Sequence, residues 1–130
     1  MTTPADMVRQ FHEAFDLPIN TTSQTMNSLR ARLIREEAAE AAEALEEFGP
    51  AEWAQELADL VYVAYGAAVT LGIDLDAAVA CVHASNMSKL GDDGRPVLRE
   101  DGKVLKGPNY RVPDMRGTYK RTEVPAHEHE

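Results

Sequence analysis

Cysteine is nearly absent from this chain. Cys81 stands alone, so no disulfide can close within it, and a reducing compartment fits. Basic residues are also scarce. Thirteen Lys and Arg against 22 Asp and Glu leave a net charge of −9. Sequence-independent binding to nucleic acid rests on Lys and Arg meeting phosphates, so no nucleic-acid partner is expected. No apolar run reaches the roughly 18 residues that a membrane helix needs, so no membrane association is expected either. The start, "MTTPADMVRQFHEAF", lacks the basic opening and long apolar stretch of a secretory signal. A cytoplasmic protein is expected. Aromatic residues make up only 6% of the 130, which leaves alanine to do much of the close packing. There is no internal repeat, no P-loop and no Ser-His-Asp set. The length suits one domain with its own core.

What is present is helical spacing. Pro4 to Phe15 carries Met7, Val8, Phe11 and Phe15 at helical intervals, and Pro18 bars its continuation. A second helix begins between Ser23 and Ser28 and runs to about Phe48, where Gly49 and Pro50 end it and open the next. A third spans Ala51 to Leu71, closed by Gly72. A fourth, capped by Asp74, runs from Leu75 to about Lys89. Short links between the last three favour antiparallel packing. The expected fold is therefore all-α, an antiparallel bundle of four to five helices. After Lys89 the chain turns rich in Gly, Pro and charge. There "VLREDGKVL" sets Asp101-Gly102 between two short apolar runs, the pattern of a hairpin or of a mobile loop. The main domain is expected over residues 1–115, with 116–130 as a flexible tail whose His127 and His129 have no function.

The second helix, "RLIREEAAEAAEALEEFGP", carries six glutamates. A solvated face accounts for most of them. With Glu36 set at roughly 0° and a turn of about 100° per residue, Met26, Leu33, Ile34, Ala41, Ala44, Leu45 and Phe48 span a core-facing arc from about 60° to 180°. Glu37 falls inside that arc and Glu40 on its border. Glu36 comes next outward, and Glu46 points away. On the third helix the arc comprises Trp53, Leu57, Leu60, Val61, Val63, Ala64 and Leu71. Glu56 lies at its edge, with Asp59 one turn along. On the fourth, Leu75, Val79 and Val82 make the inner stripe, which Asn86 and Lys89 continue. Carboxylates turned inward repel one another and resist desolvation. A divalent cation removes both problems, and hard oxygen ligands select Mg²⁺ or Mn²⁺.

The pattern E-E-x-x-E at Glu36, Glu37 and Glu40, followed by E-x-x-D at Glu56 and Asp59, resembles the all-α nucleoside triphosphate pyrophosphohydrolases. That group holds the MazG-like enzymes, the dimeric dUTPases and phosphoribosyl-ATP pyrophosphohydrolase. The resemblance covers roughly Leu29 to Tyr110, and "NMSKLGDDGRPVLREDGKVLKGPNY" is similar to the segment after the last core helix in MazG-like and phosphoribosyl-ATP pyrophosphohydrolase-like members. It implies hydrolysis of a nucleoside triphosphate between the α and β phosphates with Mg²⁺. Carried over, Glu36, Glu37, Glu40, Glu56 and Asp59 form the metal-binding and water-activating set. Glu37, Glu40, Glu56 and Asp59 are the metal ligands, and Glu36 or Glu37 is the general base. Asn86 and Lys89 match the family's substrate contacts, and Lys103, Lys106 and Tyr110 its basic triphosphate-binding segment, expected here as a lid. Relatives assemble as dimers or higher oligomers, so a homodimer or higher homo-oligomer is expected. The expected role is removal of dUTP or non-standard nucleotides, with the base chosen by a pocket that includes Gln24, Asn27 and Asn86. Two other readings compete: phosphoribosyl-ATP pyrophosphohydrolase of histidine biosynthesis, and a metal-stabilised helical module without catalysis.

Overall fold

The computed structural model describes residues 2–120. His127, His129 and most of the expected tail lie outside the described residues. The elements run α1 (Pro4–Ala14), α2 (Gln24–Glu47), α3 (Pro50–Leu71), α4 (Leu75–Met87), β1 (Val97–Leu98) and β2 (Val104–Leu105). The fold is all-α with one short hairpin, as the helical spacing predicts. The chain forms two compact units, one running to Leu75 and taking in Lys120, the other Asp76–Tyr119.

In the first unit each helix begins and ends for a legible reason. The Thr3 hydroxyl accepts from the Asp6 N–H and the Asp6 carboxylate accepts from the Thr3 N–H, both at 3.1 Å, a reciprocal cap that starts α1. Ser23 caps α2 by accepting from the Met26 N–H at 3.1 Å. The break between α2 and α3 is Phe48-Gly49, with the Gly49 N–H held by the Glu52 carboxylate. Gly72 ends α3 in the left-handed conformation at φ 77°, where a side chain is disfavoured. With so short a link, α2 folds back on α3, and α1 packs on α3 as well.

The core lies where α1 crosses α3. Val8, Tyr65 and Val69 form it, joined by Ala5, Ile19 and Leu75. The loop from Asp16 to Ser23 is tied to the end of α3. Asn20 N–H donates to Val69 O at 3.1 Å, Thr21 N–H to Thr70 O at 2.6 Å, and the Thr70 hydroxyl to Pro18 O at 3.1 Å. Alanine does supply close contacts on α2, where Ala41 and Ala44 are buried.

The expected core arcs are only partly buried. Leu45 and Phe48 on α2, and Trp53, Leu57 and Val61 on α3, are exposed. So are Met7, Phe11 and Phe15 on α1. The reason is length: α1 has 11 residues and α3 has 22, so α1 can cover only one half of α3. The buried residues of α3, Tyr65 to Val69 and Thr70 without Ala67, cluster in its C-terminal half.

In the second unit the stripe on α4 is also displaced. Val79 and Val82 are exposed, whereas Ala78 and Ser85, seven residues apart, are buried. Small residues win because the chain returns close to α4: the Ser85 hydroxyl donates to Arg111 O at 2.7 Å, and Arg111 N–H donates to the Ser88 hydroxyl at 2.9 Å. The segment "VLREDGKVL" is a hairpin rather than an unpaired loop. Its strands pair antiparallel, Val97 with Leu105 and Leu98 with Val104. Arg99 bonds Asp101 across the turn, and Gly102 takes φ 89°. Gly107 N–H donates to Lys89 O at 2.9 Å. A Cβ on Gly107 would stand 2.5 Å from that oxygen, so only glycine permits the approach.

Candidate functional site

Antiparallel helices joined by a two-residue break bring the end of α2 beside the start of α3. Glu37 then faces Glu56 and Asp59. One carboxylate oxygen from each of these three lies within 4.8 Å of the others. Glu40, one turn from Glu37, stands near enough for its charge to act on the Glu37 carboxyl. Glu36 is exposed on the outer border and is not one of the three that converge. Glu46 is exposed as well, as its angle predicts.

The electrostatics show the cost of this arrangement. Burial pushes the Glu37 carboxyl up from its ordinary value, and the neighbouring carboxylates of Glu40, Asp59 and Glu56 push it further. Burial, then the charges of Asp59 and Glu40, raise Glu56. One oxygen of Glu37 and one of Glu56 are buried with no hydrogen-bond donor. Buried acceptors are ordinarily satisfied, so two orphaned carboxylate oxygens at one spot call for a cation. The donors are oxygens only, so the residues fit a hard divalent cation. Beside the cluster lies a cleft of about 200 Å³, lined by Glu40, Glu43, Ala44, Phe48, Glu52 and Glu56.

The remaining expected contacts belong to the second unit. Asn86 is exposed on α4 and does not continue a buried stripe, and Lys89 follows the end of that helix, half-buried. Lys103 N–H is held by Asp101 in the hairpin turn. The Lys106 ammonium sits over the Tyr110 ring at 4.8 Å from its centre, a cation–π contact. The hydrogen bond from Gly107 to Lys89 ties the return strand to the end of α4. Lys89, Lys106 and Tyr110 are thus gathered within one unit.

Helical spacing alone missed a second polar contact, between α1 and α2. Arg30, half-buried, donates through Nη2 to His12 Nε2 at 3.3 Å, and its Nη1 lies 2.8 Å from where a Cβ on Gly66 would stand. The available signals were a glycine inside the otherwise uninterrupted helical pattern at Gly66 and a histidine between Phe11 and Phe15.

A search of curated proteins returns no match for the chain. The family model for phosphoribosyl-ATP pyrophosphohydrolase matches residues 8–86, more than half of the chain and a span that contains all five acidic residues of the paired motif. The chain therefore belongs to the phosphoribosyl-ATP pyrophosphohydrolase family, a part of the MazG-like superfamily, whose members are pyrophosphohydrolases acting on phosphoric anhydrides.

Proposed function

We propose that this protein hydrolyses a nucleoside triphosphate between the α and β phosphates, releasing a monophosphate and pyrophosphate, as a nucleotide-pool cleaning enzyme. The observation that carries the reading is the convergence of Glu37, Glu56 and Asp59, with two oxygens orphaned. Glu37, Glu40, Glu56 and Asp59 would hold Mg²⁺, with Mn²⁺ as a substitute. When bound, the ion supplies charge neutralisation on the phosphates and a more acidic water. Glu36 stands beside the cluster without joining it, which leaves it or the second oxygen of Glu37 to accept the water's proton. Asn86, Lys89, Lys103 and Lys106 are the substrate contacts in this reading, with Tyr110 backing Lys106. The segment from 91 to 110 folds over bound nucleotide.

In this reading the protein is a homodimer. Leu57, Val61 and Tyr62 on α3, with Met7 on α1, are exposed around an apolar cleft of about 360 Å³. A helix apolar on most of its faces belongs in an interior, and a second copy provides one.

The family match favours a second reading, in which the substrate is phosphoribosyl-ATP and the same bond is cut. A panel of nucleoside triphosphates and phosphoribosyl-ATP, each with Mg²⁺ and scored for pyrophosphate, tests both. Pyrophosphate from a common or damaged nucleotide is expected. Turnover of phosphoribosyl-ATP alone moves the assignment to the second reading. Orthophosphate with a diphosphate would mean attack at the γ phosphate and would refute both.

A further inference from the structure

Resting on the nucleotide reading above, we infer that Arg30, presented by His12 and assisted by Asn27, binds the nucleoside end of the nucleotide whose phosphates lie at the carboxylates. His12 is 2% exposed. Its Nδ1 is 2.9 Å from Pro18 O, and its Nε2 is 3.3 Å from Arg30 Nη2. A carbonyl can only accept and a guanidinium can only donate. His12 is therefore the neutral tautomer with its proton on Nδ1, and it steers Arg30 without neutralising it. Three other arginines bond a carboxylate directly: Arg9 to Glu13, Arg99 to Asp101 and Arg116 to Asp114. Arg30, more buried than these, has none within ion-pair distance among the described residues. Among the described residues, His12 alone is bonded by its guanidinium.

A second observation points to a ligand independently. Among the described residues, three buried side-chain oxygens lack a donor: one each on Glu37 and Glu56, and Oδ1 of Asn27. Asn27 stands one turn from Arg30 on α2, so an acceptor without a donor shares a helix face with the guanidinium. Gly66 gives the guanidinium its room, since a Cβ there would meet Nη1 at 2.8 Å. Such a glycine weakens a helix interior, and here the space it leaves is filled by a charged group.

Placement selects the part of the ligand. Arg30 and Glu37 are seven residues apart, which puts them on one face of α2, about 20° out of line and about 10.5 Å apart along the axis. The cleft on the other side of the cluster is lined by four glutamates, an environment for phosphates that carry cations. The sugar and base then extend toward Arg30, where a guanidinium and an amide oxygen offer donors beside an acceptor. That combination recognises the hydrogen-bonding edge of a base.

Equilibrium binding separates this role from a structural one. The probes are α,β-methylene analogues of the common nucleoside triphosphates, and inorganic tripolyphosphate, which has no sugar or base, all with Mg²⁺. For the analogue that binds the wild type best, Arg30→Gln should raise Kd by about tenfold or more, and Arg30→Lys by less. Tripolyphosphate should keep its Kd within about twofold in both variants. An unchanged nucleotide Kd in Arg30→Gln overturns the inference. So does a parallel weakening of both probes, which marks damage to the fold, or the failure of every analogue to bind. If the binding pattern holds but the natural nucleotides release no pyrophosphate, the hydrolytic reading fails and the Arg30 site stands.

Discussion

Replacing Glu37 with glutamine is expected to move stability in opposite directions according to whether metal is present. In the metal-free protein Glu37 holds an orphaned oxygen and lies among the charges of Glu40, Asp59 and Glu56. Neutralising it removes repulsion, so the metal-free melting temperature should rise or hold. With metal the order reverses, because one of the converging ligands is lost. An ion present at 100 times its Kd stabilises the native state by about 2.7 kcal/mol. A domain of this size unfolds with an entropy near 2.1 cal/mol/K per residue, so each kcal/mol is worth about 4 °C and the wild-type shift should be about 10 °C. Glu37→Gln should lose most of that shift, and Glu46→Gln, on the exposed face, should keep it. Differential scanning calorimetry with EDTA and with millimolar Mg²⁺ or Mn²⁺ reads both effects. The reasoning is refuted if Glu37→Gln retains the full metal shift, or if it lowers the metal-free melting temperature by several degrees.

The metal shift should also depend on pH. Glu37 and Glu56 have carboxyls raised above the ordinary 4.5, so the fold favours their neutral forms. Without metal, the folded state holds more protons than the unfolded one between the ordinary and raised values, and stability falls as pH rises through that window. Metal needs the charged forms, so its melting shift should be larger at pH 8 than at pH 5; equal shifts would argue against binding at these carboxyls. Val61→Lys should convert a dimer to a monomer in size-exclusion chromatography with light scattering, because Val61 is 49% exposed on the apolar face; a wild type that is already monomeric rejects the dimer. Gly107→Ala places a methyl 2.5 Å from Lys89 O and 2.7 Å from Leu90 O, both backbone atoms that cannot swing aside. It should cost about 1–3 kcal/mol and speed proteolysis near the hairpin, and wild-type resistance would show the contact to be dispensable.

The helices and the acidic motif were legible in the sequence because both rest on local rules. Ser23, Gly49-Pro50 and Gly72 act on backbone groups within a turn of themselves, and the helix limits fall within about two residues of where those signals put them. The spacing of Glu37 and Glu40, and of Glu56 and Asp59, is a property of one helix each. A short break that forces the helices antiparallel brings the two pairs together. Periodicity also sorted Glu37 from the exposed Glu46.

What periodicity left undetermined is which part of an apolar helix is covered. Leu57 and Val61 lie on the expected core arc of the third helix and are exposed, whereas Tyr65 and Val69, outside that arc, are buried. The difference lies in where the 11-residue α1 comes to rest, a long-range contact that no window of sequence contains. Arg30 belongs to the same class. As a charged residue at an inner angle it has no helical rule to mark it. Only the meeting of α1, α2 and α3 puts the neutral His12 at its tip and Gly66 beneath it. Local hydrogen bonding decides where helices start and stop, whereas burial and the pairing of a half-buried charge depend on side chains distant in the chain, and these the tertiary structure alone supplies.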